Sequence, residues 1–178
     1  MKNIFAITLL AISSSAFSQV IIGDNVGTAT NKTSVLLEFA KTENKGIVLP
    51  YITTIPTTPT EGTIILDATT PTSSAVKYYN GTQWIDLSSD NKADITTALE
   101  IQNTATENAN AKTIIGGTTS SADGILVLES TSKAMVLPHV SSIADIPSPA
   151  PGMMVYINKD GAKRLAVYNG AKWTFWSK

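Results

Sequence analysis

The stretch VKYYNGTQWIDL, Val76 to Leu87, is answered late in the chain by AVYNGAKWTFW, Ala166 to Trp176. Both carry Tyr-Asn-Gly, two variable residues and Trp. Asn-Gly accepts positive φ at low cost and is a strong two-residue hairpin signal, so each stretch reads as two short strands folded on each other. A two-residue turn at Asn80-Gly81 places Tyr79 opposite Thr82 and Lys77 opposite Trp84 on one side. Val76, Tyr78, Ile85 and Leu87 then take the other side with Gln83, and a three-residue turn would re-sort these sets. In the later copy Tyr168, Trp173 and Phe175 share one side, and Leu165, Val167 and Trp176 the other. Large apolar residues on both sides predict burial on both, by the chain itself or by further subunits.

The hairpin closes a longer repeat. Ile21-Ile22-Gly23 matches Ile114-Ile115-Gly116, and Leu36-Leu37-Glu38 matches Val127-Leu128-Glu129. Lys45-Gly46-Ile47-Val48-Leu49-Pro50 matches Lys133-Ala134-Met135-Val136-Leu137-Pro138, and Pro59-Thr60-Glu61-Gly62 matches Pro149-Ala150-Pro151-Gly152. From the Leu-Pro pair onward the offset stays between 88 and 90 residues. The chain therefore holds one unit twice. The fold class is mainly β: two tandem small β modules, each ending in an Asn-Gly hairpin, joined by a short helical or coil spacer. The expected boundaries are a signal peptide over 1–18, a module over 19–89, a spacer over 90–112 and a module over 113–178.

Within each module the apolar runs Ser34 to Phe39 and Ile47 to Ile52 read as strands, with Ile125 to Leu128 and Met135 to Val140 as their counterparts. Pro/Thr-rich loops follow, because proline removes a ladder donor. The strands Thr63 to Leu66 and Met153 to Ile157 then lead into the hairpins. In the spacer, Ile95, Leu99, Gln102, Thr106 and Ala109 recur at helical spacing, but the apolar stripe fades after Leu99. That favours a short surface helix over a coiled coil.

The 178 residues are 43% hydrophobic and only 15% charged, with a net charge of −1. Without a basic surplus, nucleic acid is excluded as a partner class. The opening MKNIFAITLLAISSSAFSQ sets Lys2 before the apolar run Ile4 to Ile12 and the small-x-small site Ala16-Phe17-Ser18, the order of a secretory leader. That run is shorter than a membrane span requires, so no span is expected after its removal. The expected location is extracellular, secreted or at the cell surface. Cysteine is absent, which excludes disulfides, thiolate metal sites and cysteine nucleophiles. Stability must come from packing or oligomerisation.

Little of the sequence points to chemistry. His139, the sole histidine, stands where the first copy has Tyr51, so it reads as a structural or surface residue rather than a base or ligand. Glu38 and Glu129 supply one carboxylate per repeat and read as solvent-facing strand positions, not as a glycosidase pair. Asp123-Gly124 and Asp160-Gly161 are turn dipeptides without the spacing of a calcium loop. No phosphate-binding or dinucleotide fingerprint occurs. The reading is no enzyme, no catalytic residue, no metal and no cofactor. The aromatics Tyr79, Trp84, Tyr168, Trp173 and Trp176 are the candidates for binding or self-association, since such rings fill cores, join subunits or stack on sugars.

Taken as an ordered set, Lys45–Pro50, Pro59–Leu66 and Tyr79–Trp84, then Lys133–Pro138, Pro149–Ile157 and Tyr168–Trp173, resemble a module of secreted and phage tail-fibre-like proteins of Bacteroidota. The module's usual second proline and arginine after Leu-Pro are replaced here by Tyr51-Ile52 and His139-Val140. The resemblance implies an extracellular, non-enzymatic fibre or adhesin-like protein that forms a homo-oligomer, a trimer being one such state. The alternative is a carbohydrate-binding module that grips a glycan or cell surface through Tyr79, Trp84, Tyr168 and Trp173.

Overall fold

The computed structural model describes residues 19–41, 44–100, 108 and 111–177. The expected leader and spacer residues 101–107 and 109–110 lie outside them, and with them Gln102, Thr106 and Ala109. The fold is mainly β. The first unit runs β1 (Val20–Ile22), β2 (Val35–Phe39), β3 (Ile47–Val48), β4 (Tyr51–Ile52), β5 (Ile64–Asp67), β6 (Ala75–Tyr79) and β7 (Trp84–Asp86). A short helix, Thr96–Glu100, follows. The second unit runs β8 (Thr113–Ile115), β9 (Leu126–Leu128), β10 (Ala134–Met135), β11 (His139–Val140), β12 (Met153–Ile157), β13 (Arg164–Tyr168) and β14 (Trp173–Trp176).

The two units share one pairing scheme. A parallel pair comes first, β1 with β2 and β8 with β9. A short strand then lies parallel to the first strand of an antiparallel meander, β4 against β5–β6–β7 and β11 against β12–β13–β14. Ile65 pairs with Lys77 where Val155 pairs with Ala166, and Tyr51 pairs with Leu66 where His139 pairs with Tyr156.

The structure corrects the expected strand Ile47 to Ile52. It is broken at Leu49-Pro50 into β3 and β4, and its counterpart is broken at Leu137-Pro138 into β10 and β11. Proline offers no N–H and holds φ near one value, so the ladder cannot run through it. The chain uses that break to change sheets. β3 leaves its own unit and pairs antiparallel with β12, Val48 opposite Met153. β10 leaves its unit and pairs parallel with β2, Met135 opposite Leu37. The tandem units are thus interlocked by an exchange of strands.

The pairing also corrects the match of Glu38 to Glu129. The amide of Ala40 donates to the Ile22 carbonyl where that of Glu129 donates to Ile115. Ala40 is therefore the counterpart of Glu129, and Glu38 is the counterpart of Val127. Glu38 is fully buried, against the expectation of a solvent-facing position, and Val127 is buried too.

The described residues form two apolar cores. One joins Leu66, Ala68 and Val76 to Ala93 and Ile95 of the spacer and to Met154 and Val167 of the second unit. The other lies within the second unit around Val155, Ile157 and Ala166. In the first unit the positions of Ile157 and Ala166 are Asp67 and Lys77, which form an ion pair of 2.6 Å in place of an apolar contact.

Candidate functional site

The Tyr-Asn-Gly-x-x-Trp hairpins are the natural place to seek function, and their geometry is the same in both copies. The turn is not centred on Asn-Gly as expected. Tyr79 pairs with Trp84, and the Asn80 amide donates to the Gln83 carbonyl at 3.1 Å, so Gly81 and Thr82 are the central residues. Gly81 carries the positive φ, 96°, as a turn with glycine at its first central position requires. Asn80 stays outside the left-handed region and acts through its side chain. Its Oδ1 accepts from the amides of Thr82 and Gln83 at 2.9 and 2.8 Å. This self-capping by asparagine competes with the direct αL role and wins here. The shift moves each cross-strand partner by two positions and leaves the facial sets unchanged, because strand side chains alternate with period two.

The aromatic residues close this turn. Tyr79 Oη donates to the Gly81 carbonyl at 3.0 Å, and Tyr168 Oη donates to Gly170 at 3.0 Å. The Tyr79 and Trp84 rings stand 5.4 Å apart between centroids and those of Tyr168 and Trp173 5.2 Å, both tilted. All four residues are half-buried. Tyr168 and Trp173 pack against the second core, whereas the face beneath Tyr79 and Trp84 carries the Asp67–Lys77 pair. Burial raises the Asp67 carboxyl, but the Lys77 ammonium and the Thr69 amide and hydroxyl outweigh it and hold the group below its usual range.

The second hairpin does more than close itself. Asn169 is buried, and its Nδ2 donates to the Asn91 carbonyl at 2.7 Å. Gly170 sits so close to the spacer that a Cβ would stand 2.8 Å from Ile95 Cγ2. Thr174 Oγ1 and Trp176 Nε1 both donate to the Leu87 carbonyl, at 2.8 and 3.0 Å. Trp176 is thereby tied to the end of the first hairpin while its ring remains exposed, as does that of Phe175, over which Arg164 stacks at 4.4 Å. Asn91, Ala93 and Asn169 were not legible as contact residues. Each is a small or polar residue in a loop, and only tertiary docking gives it a role.

The other candidates fall elsewhere. Glu38 accepts from the amides of Thr28 and Ala29, both at 2.8 Å, and is bound by Lys32 Nζ and Gln19 Nε2. Burial raises its carboxyl, and Lys32 with these amides more than reverses that, leaving it ionised below the ordinary range. It anchors the loop between β1 and β2 and presents no free oxygen to a substrate. His139 packs against Tyr156 at 5.2 Å between rings and lies 3.3 Å from Asn158 Nδ2. Burial, and then the charges of Lys41 and Lys163, hold its imidazole below the usual value. It lines an open groove of about 280 Å3 with Met135, Val136, Leu137 and Tyr156. Among the described residues no group of three or more His, Asp or Glu side chains gathers, and no helix is long and apolar enough to cross a membrane.

The hairpin side chains are committed to their own turns and to strand packing. A family model described as phage tail like trimerisation region matches residues 25–109 and, a second time, residues 114–178. No curated protein and no solved structure matches the chain.

Proposed function

The chain belongs to the phage tail-like trimerisation region family, and from this premise we propose that it is an exported, non-enzymatic structural or adhesion-type protein that acts as a trimer of itself. The leader-like opening supports export to the cell surface or beyond. The observation that carries the reading is the double family match together with the strand exchange between the two units. Such a chain offers sheet edges and apolar faces to copies of itself, and edges of that kind are templates for pairing with another chain. The hairpin aromatics serve this purpose as fixed parts of the scaffold. Each tyrosine hydroxyl is spent on a glycine carbonyl and each tryptophan packs on its tyrosine, which leaves them poorly suited to stacking on a sugar. Phe175 and Trp176, exposed at the end of β14, are the aromatic residues placed to meet a neighbouring subunit. Absolute mass by light scattering on the leader-free chain tests the proposal. A mass three times that of the chain is expected, and a monomer at every accessible concentration would overturn it.

A further inference from the structure

We propose that β3 and β9 form an intermolecular joint, in which the free edge of β3 in one chain adds in parallel to the free edge of β9 in a second copy. The inference rests on the self-association proposed above and names the strands that perform it. Its ground is the repeat itself. Inside the chain β2 has β1 on one edge and β10 on the other. Among the described residues its counterpart β9 pairs with β8 alone. The strand that fills the second edge of β2 is the Lys133–Pro138 segment, whose counterpart is β3.

The edges agree atom by atom. Successive N–H groups of a strand point to opposite edges. The amides of Ala134 and Val136 donate to Ser34 and Leu37 of the parallel partner, each at 2.7 Å. In β3 the edge turned to β12 is the other one, for the Leu49 amide donates to Gly152 at 3.2 Å and Leu49 is the counterpart of Leu137. The antiparallel contact with β12 therefore leaves open the edge of β3 that corresponds to the edge β10 gives to β2. Carrying the β10–β2 register across sets Gly46 beside Gly124 and Ile47 beside Leu126, with the Val48 amide reaching the Leu126 carbonyl.

The side chains mark the same place. Leu36 and Leu37 of β2, where β10 is seated, are 1% and 0% exposed. Their counterparts Ile125 and Leu126 are 61% and 47% exposed, and Val48 of β3 is 47% exposed. An open strand edge bordered by large apolar residues is a site for an added strand. The opposite joint, β10 on β5 of another copy, is disfavoured. At Gly46 a Cβ would stand 2.9 Å from the Met154 carbonyl oxygen of the crossing strand, and β10 has Ala134 at that position. Each chain would give β3 once and receive a strand on β9 once. That is a head-to-tail contact, and three of them close a ring.

Because the chain has no cysteine, disulfide trapping tests the joint directly. Ile47→Cys and Leu126→Cys, which the register sets side by side on one face, are carried on chains with tags of different size, co-expressed and oxidised. A mixed disulfide several-fold above either homodisulfide, and above Ile47→Cys mixed with Asp160→Cys, is the expected result. Light scattering is run on the untagged parent chain in parallel. An assembled parent with only control-level trapping overturns the joint and leaves self-association standing. A monomeric parent overturns both. Hydrogen exchange on the unmodified protein needs no variant: slow exchange of the Val48 amide in the assembly supports the joint, and fast exchange there sinks it.

Discussion

Glu38 has no access to solvent, and its carboxylate is satisfied by Lys32, Gln19 and two loop amides. Glu38→Ala is expected to cost about 2–3 kcal/mol at neutral pH, since it strands those donors around an empty site. The pH dependence has a definite sign. The folded carboxyl sits below its unfolded value, so its stabilisation is complete above about pH 4.5 and fades as pH falls towards the folded value. Glu38→Gln should flatten that part of an acid-unfolding curve, and an unchanged slope would contradict the burial argument. His139 is the second case. Its imidazole is held below the usual value, so the unfolded chain takes up protons more readily as pH falls through about 6.5, and stability drops. His139→Tyr, which restores the residue of the first copy, should keep the ring contact with Tyr156 and remove this slope in thermal melts between pH 7 and 5. Neither environment was legible beforehand. A carboxylate in an apolar strand reads as solvent-facing because burial without partners is costly, and the partners of Glu38 come from a loop up to ten residues back and from Gln19, 19 residues back.

At the scale of elements, the hairpins were legible and their turn was not. Asn-Gly announced a tight turn, but the competition between a left-handed asparagine and a self-capping one is decided by local hydrogen bonds. Two copies of one motif also need not matter equally. Trp173 packs against the second core, whereas Trp84 lies over a face that holds an ion pair. Trp173→Ala should therefore cost about 2–3 kcal/mol and Trp84→Ala closer to about 1 kcal/mol, read from denaturant midpoints. Equal losses would show that the core beneath the second hairpin adds nothing. The same comparison applies to the turns. Buried Asn169 binds the spacer as well as its own turn, and exposed Asn80 binds its turn alone. Asn169→Ala is expected to lose about 2 kcal/mol and Asn80→Ala less than about 1 kcal/mol.

For the whole molecule, the exchange of β3 and β10 means that neither unit completes its sheets alone. Heating is expected to give a single unfolding transition by calorimetry and circular dichroism, and two resolved transitions would show that the units fold independently. The sequence by itself determined the repeat, the β character, the hairpin ends, the absence of cysteine chemistry and the likeness to a phage tail module. These follow from local rules: strand alternation, turn residues and proline placement act within a few positions. What only the tertiary structure decided is which strands meet. It broke two expected strands at Leu-Pro, sent each half to a different sheet, placed Glu38 inside, and, among the described residues, left β9 without the strand that its counterpart possesses. Strand pairing joins residues about a hundred positions apart, Leu37 with Met135 and Val48 with Met153. No pattern of neighbouring residues records that choice, because an apolar dipeptide fits the edge of any strand that offers it a free carbonyl and an apolar face.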